Sequence, residues 1–241
     1  MTTLTAVADA ETASQRAAAE IARALRQARD ARGVAHAALS GGNTPRRTYE
    51  LLAHELDGFD DVEIWFADER CVDPEDSDSN FRMVTDTLLG PAAIAPERVH
   101  RMEGELGPAD GAARYARALN EHAPLGHDGA LPVLDLIVLG IGPDGHVASL
   151  FPGAATLRAD EGELCLGVSD SPKPPPERIT LSLAVLRAAR RCLLLATGAS
   201  KADAVSAMLA QPTEHVPASL LARERLTVIV DDAACPPAPR H

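Results

Sequence analysis

Hydrophobic and polar positions along the chain follow two alternating patterns, one helical and one typical of buried strands. Residues 10–31 are rich in alanine with charges on one face, which indicates an amphipathic helix, and the stretch VAHAALS at 34–40 then has the pattern of a strand. The stretch LDLIVLG at 134–140 is apolar nearly throughout, as expected of a strand in a parallel sheet covered on both faces. This alternation predicts an α/β fold.

The same alternation continues toward the C-terminus. Further strands are predicted at 61–68, 98–102, 191–198 and 226–232, and further helices at 44–56, 78–89, 109–123 and 200–209. We expect residues 1–241 to form one α/β domain, a doubly wound, mainly parallel sheet with helices on both faces, with or without a small appended lobe. The proline-rich stretch SDSPKPPPER at 169–178 predicts a surface loop or a hinge to that lobe, and CPPAPRH at 235–241 predicts a loose tail.

Composition limits the classes of partner. The 241 residues are 46% hydrophobic and carry a formal net charge of -12 at pH 7. This acidic balance argues against nucleic acid and anionic membrane surfaces, which are bound through basic patches. The four cysteines are scattered with no Cys-x-x-Cys pair, which predicts reduced thiols and no metal site. Because no signal, transit or membrane-spanning segment is recognisable, we expect a cytoplasmic protein. We also expect a monomer.

The stretch LSGGNTPRR at 39–47 places two glycines between a predicted strand and a predicted helix. Glycines permit a tight turn, and exposed amides just before a helix attract phosphate. Gly41 and Gly42 are therefore candidate phosphate ligands, and Asn43 and Thr44 are further candidates. Arg46 would lie in the first helical turn, where a cation is disfavoured unless an anion is bound nearby.

Two other interpretations of this stretch stay open. A glycine turn with a capping threonine is a common structural connection. Residues 38–42 also resemble a degenerate nucleophile elbow, in which Ser40 would be an acylated serine. An elbow runs directly into its helix, however, whereas Asn43, Thr44 and Pro45 delay this one. A Walker A loop is excluded because the Gly-Lys-Ser/Thr ending is missing.

Three consecutive charged residues, Asp68, Glu69 and Arg70, follow the apolar strand that ends there. They form either a solvated loop or a charge-assisted arrangement in which Asp68 positions neighbouring groups and Arg70 binds a phosphate or carbonyl oxygen. Cys71 has no adjacent histidine to activate its thiol, so we interpret it as a bystander.

The stretch GIGPDGHVASLFPG at 140–153 matches the dinucleotide-binding pattern through Gly140, Gly142 and Gly145. That pattern requires a long helix after the glycines, and Pro152 and Gly153 would end any helix here after about a turn and a half. We therefore reject a dinucleotide site.

The same stretch carries an acid and a histidine on a tight turn. Asp144 is close enough in sequence to His146 to fix the tautomer of the imidazole and raise its basicity. A lone histidine is usually structural, but this one is a candidate general base. Lys201 would lie near the start of a helix, where it is either solvated or paired with an anionic ligand. Together, Arg46, Arg70 and Lys201 predict a basic pocket for a small phosphorylated substrate.

The chain resembles the 6-phosphogluconolactonases over nearly its whole length. Six stretches occur in the order and spacing of that family: LSGGNTPRRTYELLA, WFADERCV, SDSNFRM, LGIGPDGHVASLFPG, RITLSLAVLRAAR and TGASKADAV. The resemblance implies a carboxylic ester hydrolase that opens 6-phospho-D-glucono-1,5-lactone in the oxidative pentose phosphate pathway, with no metal or cofactor. It implies that His146, oriented by Asp144, takes a proton from water and returns it to the ring alkoxide.

The resemblance also implies roles for the other charged candidates. Arg70, organised by Asp68, contacts the phosphate or steadies the developing charge. The groups expected to hold the phosphate are Arg46, Arg70, Lys201 and the amides of Gly41 and Gly42, with Arg178 as a further positive group. Two positions depart from the family pattern. Asn43 stands where serine is common, a mild change because both residues cap helices, and Arg187 stands where asparagine is frequent, which leaves its role open.

Three alternative functions remain. Glucosamine-6-phosphate deaminases resemble the chain in the glycine loop and in Asp-Gly-His, but they carry Asp-Glu-Tyr at 68–70 and Phe-Asn-Glu-Pro after the histidine, which argues against deamination here. The second alternative is a serine esterase that uses Ser40. The third is a sugar-phosphate sensor without catalysis, which the intact Asp144 and His146 pair disfavours.

Overall fold

Two sheets organise the chain in this computed structural model, which describes residues 2–56, 58–126 and 129–236. The strands are β1 (Thr3–Val7), β2 (Ala35–Leu39), β3 (Val62–Phe66), β4 (Asp68–Arg70), β5 (Leu136–Gly140), β6 (Cys165–Val168), β7 (Arg178–Leu181), β8 (Cys192–Ala196) and β9 (Leu226–Asp231). The larger sheet has six parallel strands in the order β1-β9-β8-β5-β2-β3. The predicted doubly wound, mainly parallel α/β fold is therefore confirmed.

The central strands of this sheet are continuous apolar runs because both of their faces are covered. All side chains of β8 and all but the last of β5 are buried. The hydrophobic pattern does not predict β1, because this strand lies at the edge of the sheet beside β9 and is mostly exposed. Its sequence TLTAV therefore lacks the apolar run that marks the interior strands.

Six α-helices lie in the described part of the chain: α1 (Ala10–Arg32), α2 (Asn43–Glu55), α3 (Asn80–Val84), α4 (Pro108–His122), α5 (Leu183–Ala188) and α6 (Ala202–Leu209). Helix α1 begins where Asp9 accepts a hydrogen bond from the Thr12 N–H and ends at Gly33, whose φ is +83°. Its buried face, mostly alanine, allows close packing against α2 and the sheet.

The order of strands in the large sheet reverses at β2. The chain passes from β2 through α2 to β3 on one side, and β5 joins β2 on the other. Loops that leave neighbouring parallel strands at such a reversal point diverge and open a crevice at the carboxyl ends of the strands. The loops after β2 and β5, residues 40–42 and 141–146, therefore line opposite sides of one crevice.

The smaller sheet is antiparallel, in the order β4-β7-β6, and α4 packs against it. Strand β4 follows β3 after Ala67 alone, and it pairs Arg70 with Arg178 of β7. The hairpin between β6 and β7 contains the proline-rich segment, so residues 169–177 form the predicted loop and Arg178 begins the next strand.

The structure corrects three predicted elements. Residues 98–102 are not a strand: a 3₁₀ turn ends at Arg98, and within the described residues the segment makes one isolated bridge, from Val99 to Ile64. The helix predicted at 78–89 is divided into α3 and a π-helical turn at Thr85–Leu89. The helix predicted from Ser200 starts as a 3₁₀ turn, and α6 begins at Ala202. In each case the spacing of hydrophobic residues indicates a structured segment but does not determine which backbone hydrogen bonds the segment forms.

None of the helices in the described ranges has both the length and the apolar character needed to cross a bilayer. The four cysteines are free thiols, as predicted. The predicted C-terminal tail lies outside the described residues from position 237 on.

Candidate active site

A polar cavity of about 320 Å³ lies at the carboxyl ends of β2 and β5, where the strand order reverses. Its walls come from the loops after β2 and β5, from strand β4 with the start of α3, from the β6–β7 hairpin and from the turn before α6. The lining residues are Ser40, Gly41, Gly42, Asn43, Thr44, Pro45, Asp68, Arg70, Asn80, Gly140, Ile141, Gly142, Pro143, His146, Ala148, Lys173, Arg178 and Lys201.

The glycine loop forms one wall of this cavity and leads into α2. Gly42 has a φ of +104° and occupies the N-cap position, where no side chain accepts a hydrogen bond from the helix. The expectation that Asn43 or Thr44 caps the helix is therefore wrong, because both residues already lie inside the first turn. The N–H groups of a first turn have no partner within the helix, so this uncapped end is suited to bind an anion.

His146 and Asp144 form a close pair at a second wall. The His146 Nδ1 atom lies 2.6 Å from Asp144 Oδ1. The turn is tight: a Cβ atom on Gly142 would come within 2.0 Å of the His146 Nδ1 atom and 2.4 Å of the carboxylate. This crowding requires glycine at position 142, one of the three glycines that match the dinucleotide pattern.

The electrostatics of this pair favour a neutral imidazole. Burial lowers the pKa of His146, and the hydrogen bond with Asp144 only partly opposes that effect. Because the carboxylate accepts from Nδ1–H in the neutral ring, Nε2 carries the lone pair. His146 thus has the tautomer and the protonation state of a general base at neutral pH.

Asp68 is buried at the start of β4 and is held by two residues that the sequence patterns do not single out. Ser149 Oγ donates a hydrogen bond to Asp68 Oδ2 at 2.7 Å. Asn80 Nδ2 donates to the Asp68 backbone oxygen at 2.9 Å and contacts Oδ1 at 3.3 Å. The prediction that Asp68 organises the Arg70 side chain is not supported, because Arg70 Nη1 donates to the backbone oxygen of Asp78 instead, at 2.6 Å.

Positive side chains converge on the cavity from three elements. Arg178 is 4% exposed, and its guanidinium donates to backbone oxygens of the proline-rich loop, including that of Pro175 at 3.0 Å. Lys201 precedes α6, and burial lowers the pKa of its ammonium group. Within the described ranges, neither of these residues nor Arg70 forms a salt bridge with a carboxylate. Charges left unpaired beside a cavity are suited to bind an anion.

Two further observations change the predicted set of cations. Lys173, in the proline-rich loop, lines the cavity and lies 3.4 Å from Asp144 Oδ1. Sequence patterns could not assign this lysine, because its approach to the site depends on the β6–β7 hairpin. Arg46, by contrast, is exposed and does not line the cavity. The structure therefore brings together Gly41, Gly42, Asn43, Thr44, Asp68, Arg70, His146, Arg178 and Lys201, with Asp144 behind the imidazole.

Ser40 also lines the cavity, but its surroundings differ from those of a serine nucleophile. Its hydroxyl is buried and has no hydrogen-bond partner within the described residues, so no histidine activates it.

No group of three or more histidine, cysteine, aspartate or glutamate side chains in the described ranges has the arrangement of a metal site. A second, larger cavity of about 640 Å³ lies beside α4 and the π-helical turn. Its two arginines, Arg101 and Arg114, are already paired with Glu105 and Glu103. The larger cavity therefore lacks the unpaired charges of the smaller one.

Comparison with known proteins identifies the family of the chain. A family model described as glucosamine-6-phosphate isomerases/6-phosphogluconolactonase matches residues 8–230. The chain belongs to this family. Within the family, the 6-phosphogluconolactonase of Streptomyces coelicolor is 35% identical to the chain, over 96% of the chain and 93% of that protein. The 6-phosphogluconolactonase of Mycobacterium leprae is 34% identical, over 88% of the chain and 87% of that protein.

Solved structures of the family superpose closely on the chain. The 6-phosphogluconolactonase of Trypanosoma brucei matches with a TM-score of 0.85 and 28% identity, covering 97% of each chain. That of Shewanella baltica matches with a TM-score of 0.83 and 30% identity, covering 96% of this chain and 98% of that one. A monomeric glucosamine-6-phosphate deaminase also matches, with a TM-score of 0.80, but its 23% identity shows a shared fold alone.

Proposed function

We propose that the chain hydrolyses 6-phospho-D-glucono-1,5-lactone to 6-phosphogluconate, with water activated by His146 and the phosphate held by the basic side of the cavity. The observation that carries this proposal is that a neutral, carboxylate-paired imidazole and several unpaired cations line one cavity. The names of the family members at 34–35% identity over most of the chain support the same reaction.

A δ-lactone is an activated ester, so its hydrolysis needs a positioned water, a base and stabilisation of an oxyanion. In the proposed mechanism, Nε2 of His146 takes a proton from water while the water oxygen attacks the lactone carbonyl carbon. The tetrahedral oxyanion then collapses and breaks the bond to the ring oxygen. The imidazolium, stabilised by Asp144, returns its proton to that departing oxygen, and the free carboxylic acid ionises in neutral solution. General base catalysis of this kind contributes about 10²- to 10⁴-fold.

The remote phosphate aligns the lactone for this attack. The amides of Gly41 and Gly42, with the uncapped start of α2, and the ammonium group of Lys201 are its proposed ligands. Arg46 is exposed near the same helix end and has a smaller proposed role, as a charge near the entrance. Because phosphate binding orients the reacting group, its loss should lower turnover as well as affinity.

The remaining cations have proposed roles nearer the reacting carbon. Arg70 binds either the phosphate or the developing oxyanion, and Arg178 supports it from the neighbouring strand. Lys173 contacts Asp144, so its ammonium group helps to hold that carboxylate beside the imidazole.

The deciding experiment is a proton-release assay with freshly generated 6-phosphogluconolactone, with ammonia detection from glucosamine 6-phosphate as the comparison. Accelerated proton release by the chain, absent in the His146→Ala variant, supports the lactonase. Ammonia release without lactone hydrolysis would support a deaminase. A covalent acyl-enzyme seen by mass spectrometry, lost in Ser40→Ala, would support the serine esterase, and binding without turnover a sensor. A cytoplasmic location and a monomeric state stay predictions, the latter to be checked by light scattering.

A further inference from the structure

One carboxylate next to the site has no role in the proposed mechanism. Glu69 lies between Asp68 and Arg70 on β4 and is 3% exposed. Side chains alternate along a strand, so Asp68 and Arg70 reach the cavity while Glu69 points to the opposite face and does not line it. Within the described residues it forms no salt bridge. A buried carboxylate without a cation is costly, and burial raises the pKa of Glu69 to about 7.

The contacts of Glu69 join two segments that carry site residues. Its Oε1 accepts hydrogen bonds from the backbone N–H groups of Arg70 and Asn80, both at 2.7 Å. Its Oε2 accepts from the N–H of Phe81, also at 2.7 Å, and from Ser79 Oγ at 3.3 Å. Asn80 and Phe81 begin α3, where backbone N–H groups have no partner within the helix. The carboxylate therefore fastens the start of α3 to β4.

We propose that Glu69 is a positioning residue, which sets the placement of Arg70 and Asn80 in the cavity and, through Asn80, that of Asp68. The inference rests on the proposed lactonase function. The route to Asp68 is short, because the Asn80 side chain donates to both the backbone and the carboxylate of Asp68. The route to Arg70 is direct, because its own N–H is bound. The Asn80 side chain also packs directly against the glycine loop, since a Cβ on Gly41 would lie 1.7 Å from Asn80 Oδ1.

The main test is Glu69→Gln, assayed with 6-phosphogluconolactone. Glutamine has a single carbonyl oxygen, so it cannot accept all of the backbone N–H groups that the carboxylate accepts. We expect kcat/KM to fall about 10- to 100-fold, as for displacements of reacting groups by about 1 Å. The matched control is Asp135→Asn, at another buried carboxylate that accepts a backbone N–H, from His36, but at the far end of the sheet. It should lose stability and keep kcat/KM within about twofold.

A double-mutant cycle with Asn80→Ala separates positioning from general damage to the fold. If Glu69 acts through Asn80, the two variants share part of their effect, and the double variant loses less kcat/KM than the product of the single losses. A folded Glu69→Gln variant with kcat/KM within about twofold of wild type, or losses that multiply, would overturn the proposal. If Glu69→Gln does not fold at the assay temperature, Glu69→Asp is assayed instead. Its carboxylate is one methylene too short to reach both segments, and the same loss of about 10- to 100-fold is expected.

Failure of the proposed function gives a different result. A wild-type chain without lactonase activity would refute the function, and amide hydrogen exchange would still test the role of Glu69 in placing the site. In Glu69→Gln the amides of Arg70, Asn80 and Phe81 should exchange faster than in wild type, while those of β8 stay unchanged. Unchanged exchange at all three amides would overturn the proposal without any substrate.

Discussion

Buried charges are paired at one end of the central sheet and unpaired at the other. At the amino end, Asp135 precedes β5 and is neutralised within the protein: it lies 2.6 Å from Arg32 and 3.3 Å from Arg190, and it accepts the N–H of His36. At the carboxyl end, Arg178 and Lys201 face a cavity without a carboxylate partner in the described ranges. In a completed pair each charge is already compensated, whereas an uncompensated charge leaves attraction available to a ligand. The difference supports the proposal that the ligand binds at the carboxyl end.

The largest expected effect comes from removing the base at the carboxyl end. His146→Ala should lower kcat for 6-phosphogluconolactone by about 10²- to 10⁴-fold, because no other group takes the proton from water. Stopped-flow proton release at saturating lactone measures kcat, and thermal unfolding checks the fold. A folded variant with near-wild-type turnover would remove His146 from the mechanism.

The second effect concerns the unpaired cations. Lys201→Ala should raise KM about 10- to 100-fold, because a charge-assisted contact with the phosphate contributes about 1.5–3 kcal/mol. Arg46→Ala should raise it less, since Arg46 does not line the cavity. Arg47→Ala is the matched control: Arg47 neighbours Arg46 but is paired with Glu11 and Glu50. Equal KM values for Lys201→Ala and Arg47→Ala would show that the cavity cations do not hold the phosphate.

The third effect is on the pH profile. Burial lowers the pKa of His146, so the neutral base persists below the ordinary histidine value and kcat/KM should fall only below about pH 6.5. Asp144 raises that pKa, so in Asp144→Asn the acid limb should move to still lower pH while the maximal rate decreases. The same shift makes the folded state bind fewer protons than the unfolded state, so stability should also decrease as the pH falls below about 6.5. An acid limb centred above pH 7 in the wild type would contradict this assignment.

The smallest expected effect on activity lies at the amino end. Asp135→Asn removes the charge that pairs with Arg32 and Arg190, and it should lower the free energy of unfolding by about 1–3 kcal/mol. Urea unfolding measures this loss. Unfolding unchanged within error would show that these pairs are no more than surface contacts.

Sequence patterns predict the interior of the large sheet well, since buried strands such as β5 and β8 must be apolar throughout. They miss β1, whose residues face solvent at an edge. In the site, the patterns identify the contact of Asp144 with His146, because two residues so close together on one tight turn lie near each other. They do not identify Lys173, whose position depends on a hairpin that spans proline-rich sequence with no period.

The other missed residues share a physical reason. Ser149 and Asn80 contact Asp68 only because elements far apart in sequence fold against β4. A single serine or asparagine in the sequence carries no signal that distinguishes such a role. For Arg46, the sequence correctly predicts a place in the first turn of α2. That place does not determine the direction of the side chain, which is exposed to solvent.

Gly41 has a consequence for how this cavity can vary among proteins. A single methyl group at that position would collide with the Asn80 side chain, the same amide that holds Asp68. The wall at Gly41 is therefore limited by the protein's own packing, because Asn80 occupies the space that a larger side chain would need. Variation in the cavity is therefore expected at its other walls, such as the proline-rich hairpin that contributes Lys173.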